Sequence, residues 1–171
     1  AIDLSRRLKI IYLHPFSFRE FLFFQNDVLL PTLTLSQIFS GDYESSHLTY
    51  AHLLKEYMTG RLFPFALNEP QSIDLFAGIL KKILYKDMAA ISKLGLHELK
   101  IIEKLLAFIG RSSVDGINNS SLSKNLGITK YKAEEYVELL KKTFILNPIY
   151  PQGANVIREP KILMNLPYRN Q

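Results

Sequence analysis

Apolar and polar positions along this chain follow a helical period for most of its length, and the clearest stretch lies between residues 120 and 165. Leu122 and Leu126 are four apart and share a face, and Ser120 is placed to cap their helix. Gly127 suits the left-handed position that closes such a helix, and Thr129 can cap the next one. That next helix is predicted over residues 130–143, with Ala133, Val137, Leu140 and Phe144 as one buried stripe. Residues 144–150 read as a strand and Pro151-Gln152-Gly153 as a turn. Residues 155–166 read as a returning edge strand interrupted by Pro160. The order predicts a winged helix-turn-helix with a small two- to three-stranded wing.

Upstream, residues 8–13 (Leu-Lys-Ile-Ile-Tyr-Leu) are apolar and β-branched, which predicts a buried strand ending before Pro15. Ser17 and Glu20 then form a capping box for an aromatic helix over residues 18–24. No other strand is predicted in the first hundred residues, and a lone strand leaves its backbone groups unpaired. The expectation is therefore that its partners lie before Ala1 and that the chain is the C-terminal piece of a longer protein. From Pro31 the pattern is helical. Ser45 or Ser46 caps a helix to Thr59 with Leu48, Ala51, Leu54, Tyr57 and Met58 inward, closed by Gly60. Ser72 caps another to about Ser92, with Leu75, Phe76, Ile79, Leu80, Ile83, Leu84 and Met88 on its apolar side. Gly95 breaks it, and residues 96–109 form the first helix of the winged module, ending at Gly110. The expected fold class is mainly α, a helical segment plus the winged module. Its divisions are residues 1–30, 31–95, 96–166 and 167–171.

Composition narrows the picture. With 171 residues, 47% of them hydrophobic and 22% charged, the chain is an ordinary globular one and not a disordered one. No apolar run approaches the ~20 residues that span a bilayer, and Asp3, Arg6 and Arg7 exclude a secretory signal at this end. The chain has no cysteine, which excludes disulfides and thiolate metal sites. A cytoplasmic protein with no membrane partner is expected. The net charge of +5 permits contact with nucleic acid without requiring it, because the basic residues are mixed with acids.

Most catalytic patterns are missing. No Gly-rich phosphate loop occurs, His47 and His52 are five apart and do not share a helical face, and no nucleophile elbow is present. No catalytic residue, metal site or cofactor is expected. Glu98-Leu99-Lys100 has an acid-x-Lys spacing found in nucleases, but in a predicted helix it reads as a surface ion pair. The helix-turn-helix has a mechanism: its second helix would present Thr129, Lys130, Tyr131 and Lys132 to an acidic backbone. Lys124, Arg158 and Lys161 would add phosphate contacts. Glu134, Glu135 and Glu138 on the same helix would oppose them. Double-stranded DNA, another protein and a second copy of the chain all stay open as partners.

One stretch carries a family resemblance. His14-Pro15-Phe16-Ser17-Phe18-Arg19-Glu20-Phe21-Leu22 resembles the signature closing the ATPase core of a prokaryotic AAA+-type P-loop ATPase family. Tyr57-Met58-Thr59-Gly60-Arg61-Leu62-Phe63-Pro64, Tyr85-Lys86-Asp87-Met88 and Arg158-Glu159-Pro160-Lys161-Ile162 resemble later stretches of that family, in the same order. The resemblance implies that residues 1–30 end a truncated ATPase core, residues 31–95 form its helical lid, and a winged helix engages DNA or a partner. ATP and Mg²⁺ would belong to the parent protein and not to this chain. Arg6 or Arg7 would read a neighbouring γ-phosphate, although the Gly-Arg usual before that strand is absent and Arg61 replaces a glycine. The alternatives are a freestanding winged-helix transcription regulator and a protein-interaction adaptor.

Overall fold

A computed structural model describes residues 11, 13–69, 72–112, 117–153 and 159–170. The chain divides into two units, residues 1–70 and 71–171.

In the first unit, α1 (Phe18–Asn26) starts where the sequence places it, and α2 (Leu35–Ser40) is an addition to the expected helices. Ser17 caps α1 with a complete capping box, and Glu20 accepts the Ser17 N–H at 2.7 Å. Thr34 does the same for α2, with Gln37 as the reciprocal partner. The single helix expected over residues 45–59 is instead broken into α3 (Ser46–Thr49), a 3₁₀ turn Ala51–Leu53, α4 (Leu54–Glu56) and a π-helical stretch Tyr57–Arg61. Ser45 makes no side-chain capping bond, and its carbonyl accepts both the Thr49 N–H and the Thr49 hydroxyl at 3.2 Å. Leu48 and Leu54, expected inward, are 60% and 42% exposed. Gly60 takes φ 145°, which a residue with a Cβ rarely adopts, and there the helical path ends.

What this unit buries is small. Phe21, Leu22, Leu62 and Ala66 are covered, and the rings of Phe18, Phe21 and Tyr57 lie 5.4–6.0 Å apart. The Tyr57 hydroxyl donates to the Phe16 carbonyl at 2.6 Å, and the Phe16 N–H donates to the Leu62 carbonyl at 2.7 Å. Of the strand expected over residues 8–13, only Ile11 and Leu13 are described. Neither is in a strand, and both are exposed, contrary to the expected burial. Among the described residues of this unit there is no strand to pair with them.

The second unit begins with α5 (Ser72–Lys82), a π-helical stretch Ile83–Met88 and α6 (Ala89–Ser92), ended by Lys93 in the left-handed region. Phe76, Leu84 and Met88 are buried as expected, while Leu75 is not. Next, α7 (Leu96–Arg111) passes through Gly110 and buries Leu99, Ile102, Leu105, Leu106 and Ile109. It is followed by α8 (Asn119–Leu126) and α9 (Lys130–Lys142), joined through Gly127 at φ 65°. The cap of α8 is Asn118 and not Ser120, because Asn118 and Ser121 form the reciprocal box. On α9, Ala133, Val137 and Leu140 are buried as the stripe predicts, joined by Tyr136. Phe144 leaves the stripe, because the helix ends at Lys142 and Phe144 takes φ 59° and stays half exposed.

Strands β1 (Leu146–Ile149) and β2 (Lys161–Met164) form a two-stranded antiparallel sheet, with Leu146 opposite Met164 and Ile149 opposite Lys161. Residues 155–158 of the expected returning strand, with Arg158, lie outside the described residues. Pro148 has no N–H to give to the sheet, and the Ile162 N–H opposite it donates to the Ile117 carbonyl at 3.0 Å. The described residues are thus mainly helical with one small sheet. Among the described residues no helix is long and apolar enough to cross a membrane.

Candidate functional site

The N-terminal turn of α9 gathers Thr129, Lys130, Tyr131 and Lys132, residues that the sequence singles out. Thr129 caps it, its hydroxyl accepting the Lys132 N–H at 3.2 Å, so Lys130, Tyr131 and Lys132 form the first turn. Tyr131 is 75% exposed. The two lysines are engaged within the molecule. Lys130 pairs with Glu159, which also accepts the Ser120 N–H at 3.0 Å and the Ser120 hydroxyl. Glu159, 39 positions from Ser120, therefore ties the start of α8 to the start of α9. Lys132 reaches Glu98 on α7 at 3.0 Å and Glu135 at 3.2 Å, and lies over the Tyr136 ring at 5.6 Å.

The charges respond accordingly. The Lys130 ammonium first, and the Ser120 hydroxyl second, hold the Glu159 carboxyl down to about 2. Glu98 is lowered by Lys132 and by the Gly95 N–H, which it accepts in a capping arrangement. Glu159 raises the pKa of Lys130, and Glu98 with Glu135 raises that of Lys132. Burial raises the Tyr136 phenol. Glu98 was expected to pair with Lys100. Residues two apart on a helix do not face each other, and its partner is Lys132, 34 positions away.

The other candidates lie on other elements or outside the described residues. Lys124 is exposed on α8 and has no ion pair among the described residues. Lys161 is exposed at the start of β2, and Arg6, Arg7 and Arg158 lie outside the described residues. Beside α9 runs a cleft of about 310 Å³ bounded by Asn119, Glu134, Glu138, Tyr150, Glu159 and Pro160. Among the described residues its character is acidic, with Glu134, Glu138 and Glu159 against Lys130. A second cleft, of about 260 Å³, lies between α5 and α7 and is lined mainly by apolar groups such as Leu84, Leu106 and Met164.

Sequence reasoning missed Asn119 and Glu159. Asn119 was hidden beside a capping residue. The role of Glu159 depends on a contact across the fold that no local pattern announces. Among the described residues no three His, Cys, Asp or Glu side chains are placed to hold a metal ion.

Comparison with known proteins gives a relationship without an activity. Residues 52–165 match a domain family described as a domain of unknown function, DUF8612. The chain is 26% identical over 163 residues to the uncharacterized protein MJ1637 of Methanocaldococcus jannaschii. That match covers 89% of this chain and 34% of the relative, so the chain spans about a third of the relative's length. No solved structure matches.

Proposed function

We propose that this chain, which belongs to the DUF8612 domain family, carries a winged helix in residues 96–166 that docks another protein and not duplex DNA. The succession α7, α8, Gly turn, α9, β1, β2 supports the winged-helix reading. The observation that carries the choice of partner is the pairing of Lys130 and Lys132. A reading helix needs cations at its N-terminal end to hold phosphates. Here those two positive charges are met by Glu159, Glu98 and Glu135, and Glu134 stands exposed one turn along. A phosphate taking Lys130 would have to draw it away from Glu159 and would then face that carboxylate.

In this reading the chain is part of a longer AAA+-type ATPase and binds no nucleotide itself. The His14–Leu22 signature and the missing phosphate loop support it. Fluorescence anisotropy with a labelled duplex tests the docking choice. No binding is expected even at ~50 mM salt, where phosphate contacts are strongest. Duplex binding whose salt slope falls by about two in the Lys130→Ala, Lys132→Ala double variant would overturn it. Isothermal titration with Mg-ATP should give no heat of binding.

A further inference from the structure

We propose that the partner protein docks in the cleft between α5 and α7, and that it inserts an apolar side chain flanked by carboxylates. This deepens the docking reading and rests on it for the partner being a protein. Small residues open the cleft. Ala77 and Lys81 lie four apart on one face of α5, and Ala107 and Arg111 lie four apart on one face of α7. The two alanines are too short to fill the space between the helices, which leaves about 260 Å³ above the buried Leu84, Leu106 and Met164. Outside its own helix, a Cβ at Gly110 would meet nothing closer than the Met164 sulfur at 4.0 Å.

The polar groups around this space are unpaired. Tyr168 forms one wall and is 8% exposed. Its ring meets the Phe76 ring edge-on at 6.1 Å, and burial alone raises its phenol, which has no hydrogen bond among the described residues. A buried phenol usually finds such a partner. The hydroxyl is not sealed in, because among the described residues Asn119 Oδ1 is the fully enclosed side-chain atom left unpaired. A group from outside the chain can therefore reach it. Lys81 and Arg111 stand exposed, one on each helix, and neither has an ion pair among the described residues. Glu103, which also lines the cleft, accepts the Tyr85 hydroxyl at 2.9 Å.

Size and charge select the occupant. Sites for cofactors and drug-sized ligands run to about 300–1,000 Å³, and this cleft is smaller. It suits an apolar side chain or two, the form that a central anchor takes at a protein interface. Lys81 and Arg111 flank that anchor, so acidic neighbours are drawn in and basic ones repelled. The Tyr168 hydroxyl is placed to donate to a carboxylate or backbone carbonyl that arrives with it.

The test is a titration of the ¹⁵N-labelled chain with acetyl-Ala-Asp-Leu-Leu-Asp-Ala-amide, followed by NMR. Controls replace both leucines by alanine, or both aspartates by asparagine, and sodium octanoate stands for a free small carboxylate. The aspartate–leucine peptide should shift the backbone amides of Lys81, Ala107, Arg111 and Met164, saturating at millimolar concentration. The alanine peptide should leave them unmoved, and the asparagine peptide should bind more weakly. Ala107→Leu, an exposed change that narrows the cleft, should abolish binding. Lys81→Gln with Arg111→Gln should weaken it by about tenfold, which corresponds to ~1.4 kcal/mol. Tyr168→Phe should weaken it by about threefold, the loss of one hydrogen bond. Equal shifts from the alanine peptide, or affinity unchanged in Ala107→Leu or in the double variant, would overturn the proposal. Octanoate shifting these signals while the peptide does not would also overturn it and mark a small-molecule site. If the peptide binds and duplex DNA binds as well, the cleft stands and the docking reading falls. If neither binds, the cleft falls and the docking reading remains.

Discussion

Two helix pairs in this chain each start from side-chain caps and end in opposite surroundings. α1 and α2 each have a complete capping box and a left-handed C-cap, and α8 and α9 are capped by Asn118 and Thr129 with Gly127 between them. α8 and α9 bury Leu122, Ala133, Tyr136, Val137 and Leu140. α2 buries nothing, and its Leu35, Ile38 and Phe39 are 73%, 51% and 86% exposed. α1 covers only Phe21 and Leu22, leaving Phe23 and Phe24 open. Caps decide where a helix begins, and they say nothing about whether a facing element exists to cover it. Most helix stability comes from that facing element.

The largest test of this contrast is a matched pair of truncations. Leu140 is fully buried on α9, so Leu140→Ala should cost about 2–5 kcal/mol in urea unfolding. Phe39→Ala removes a larger side chain, yet it should stay within about 0.5 kcal/mol of the parent, because that ring is already in water. A comparable loss from both would mean that α2 is covered in solution.

Caps provide the next comparison. Asn118→Ala removes the acceptor for the Ser121 N–H in a helix that belongs to the packed core, and should lower the main unfolding transition by about 1 kcal/mol. Thr34→Ala removes the same kind of bond from α2. It should reduce helical circular dichroism slightly and leave the main transition in place. A shift of that transition by Thr34→Ala would show that α2 unfolds together with the core.

The same contrast explains how much the sequence revealed. The turn at Gly127, the cap at Thr129 and the stripe Ala133, Val137, Leu140 all rest on interactions within a few residues, and the structure follows them. Tyr136 was missed because its burial depends on α7, where its hydroxyl meets Glu98 at 3.4 Å. The 45–59 stretch misled because an apolar spacing suggested one helix, whereas the chain leaves regular helix at Tyr50 and kinks at Gly60. The acidic cleft was out of reach. Glu159 and Asn119 are 40 positions apart and meet only in the folded chain.

The smallest effect separates two glutamates that are both held below their usual range. Glu20 is lowered mainly by the Ser17 backbone and hydroxyl, three residues away in its own cap. Glu159 is lowered to about 2 by Lys130 and Ser120, which lie on different helices. A depressed folded-state value means that the stabilisation is complete above the ordinary glutamate value of about 4.3 and is lost as pH falls toward 2. The Glu159 side chain is 25% exposed and its partner 50%, so solvent screening keeps its contribution under about 1 kcal/mol. Glu159→Gln should therefore unfold at slightly lower urea than the parent at pH 7, and the difference should vanish as pH falls from about 4.3 to 2. Glu20→Gln should change little at any pH, since a glutamine can still close a capping box. A Glu159→Gln deficit that persists unchanged at pH 2 would mean that packing, and not charge, joins Glu159 to the helices it bridges.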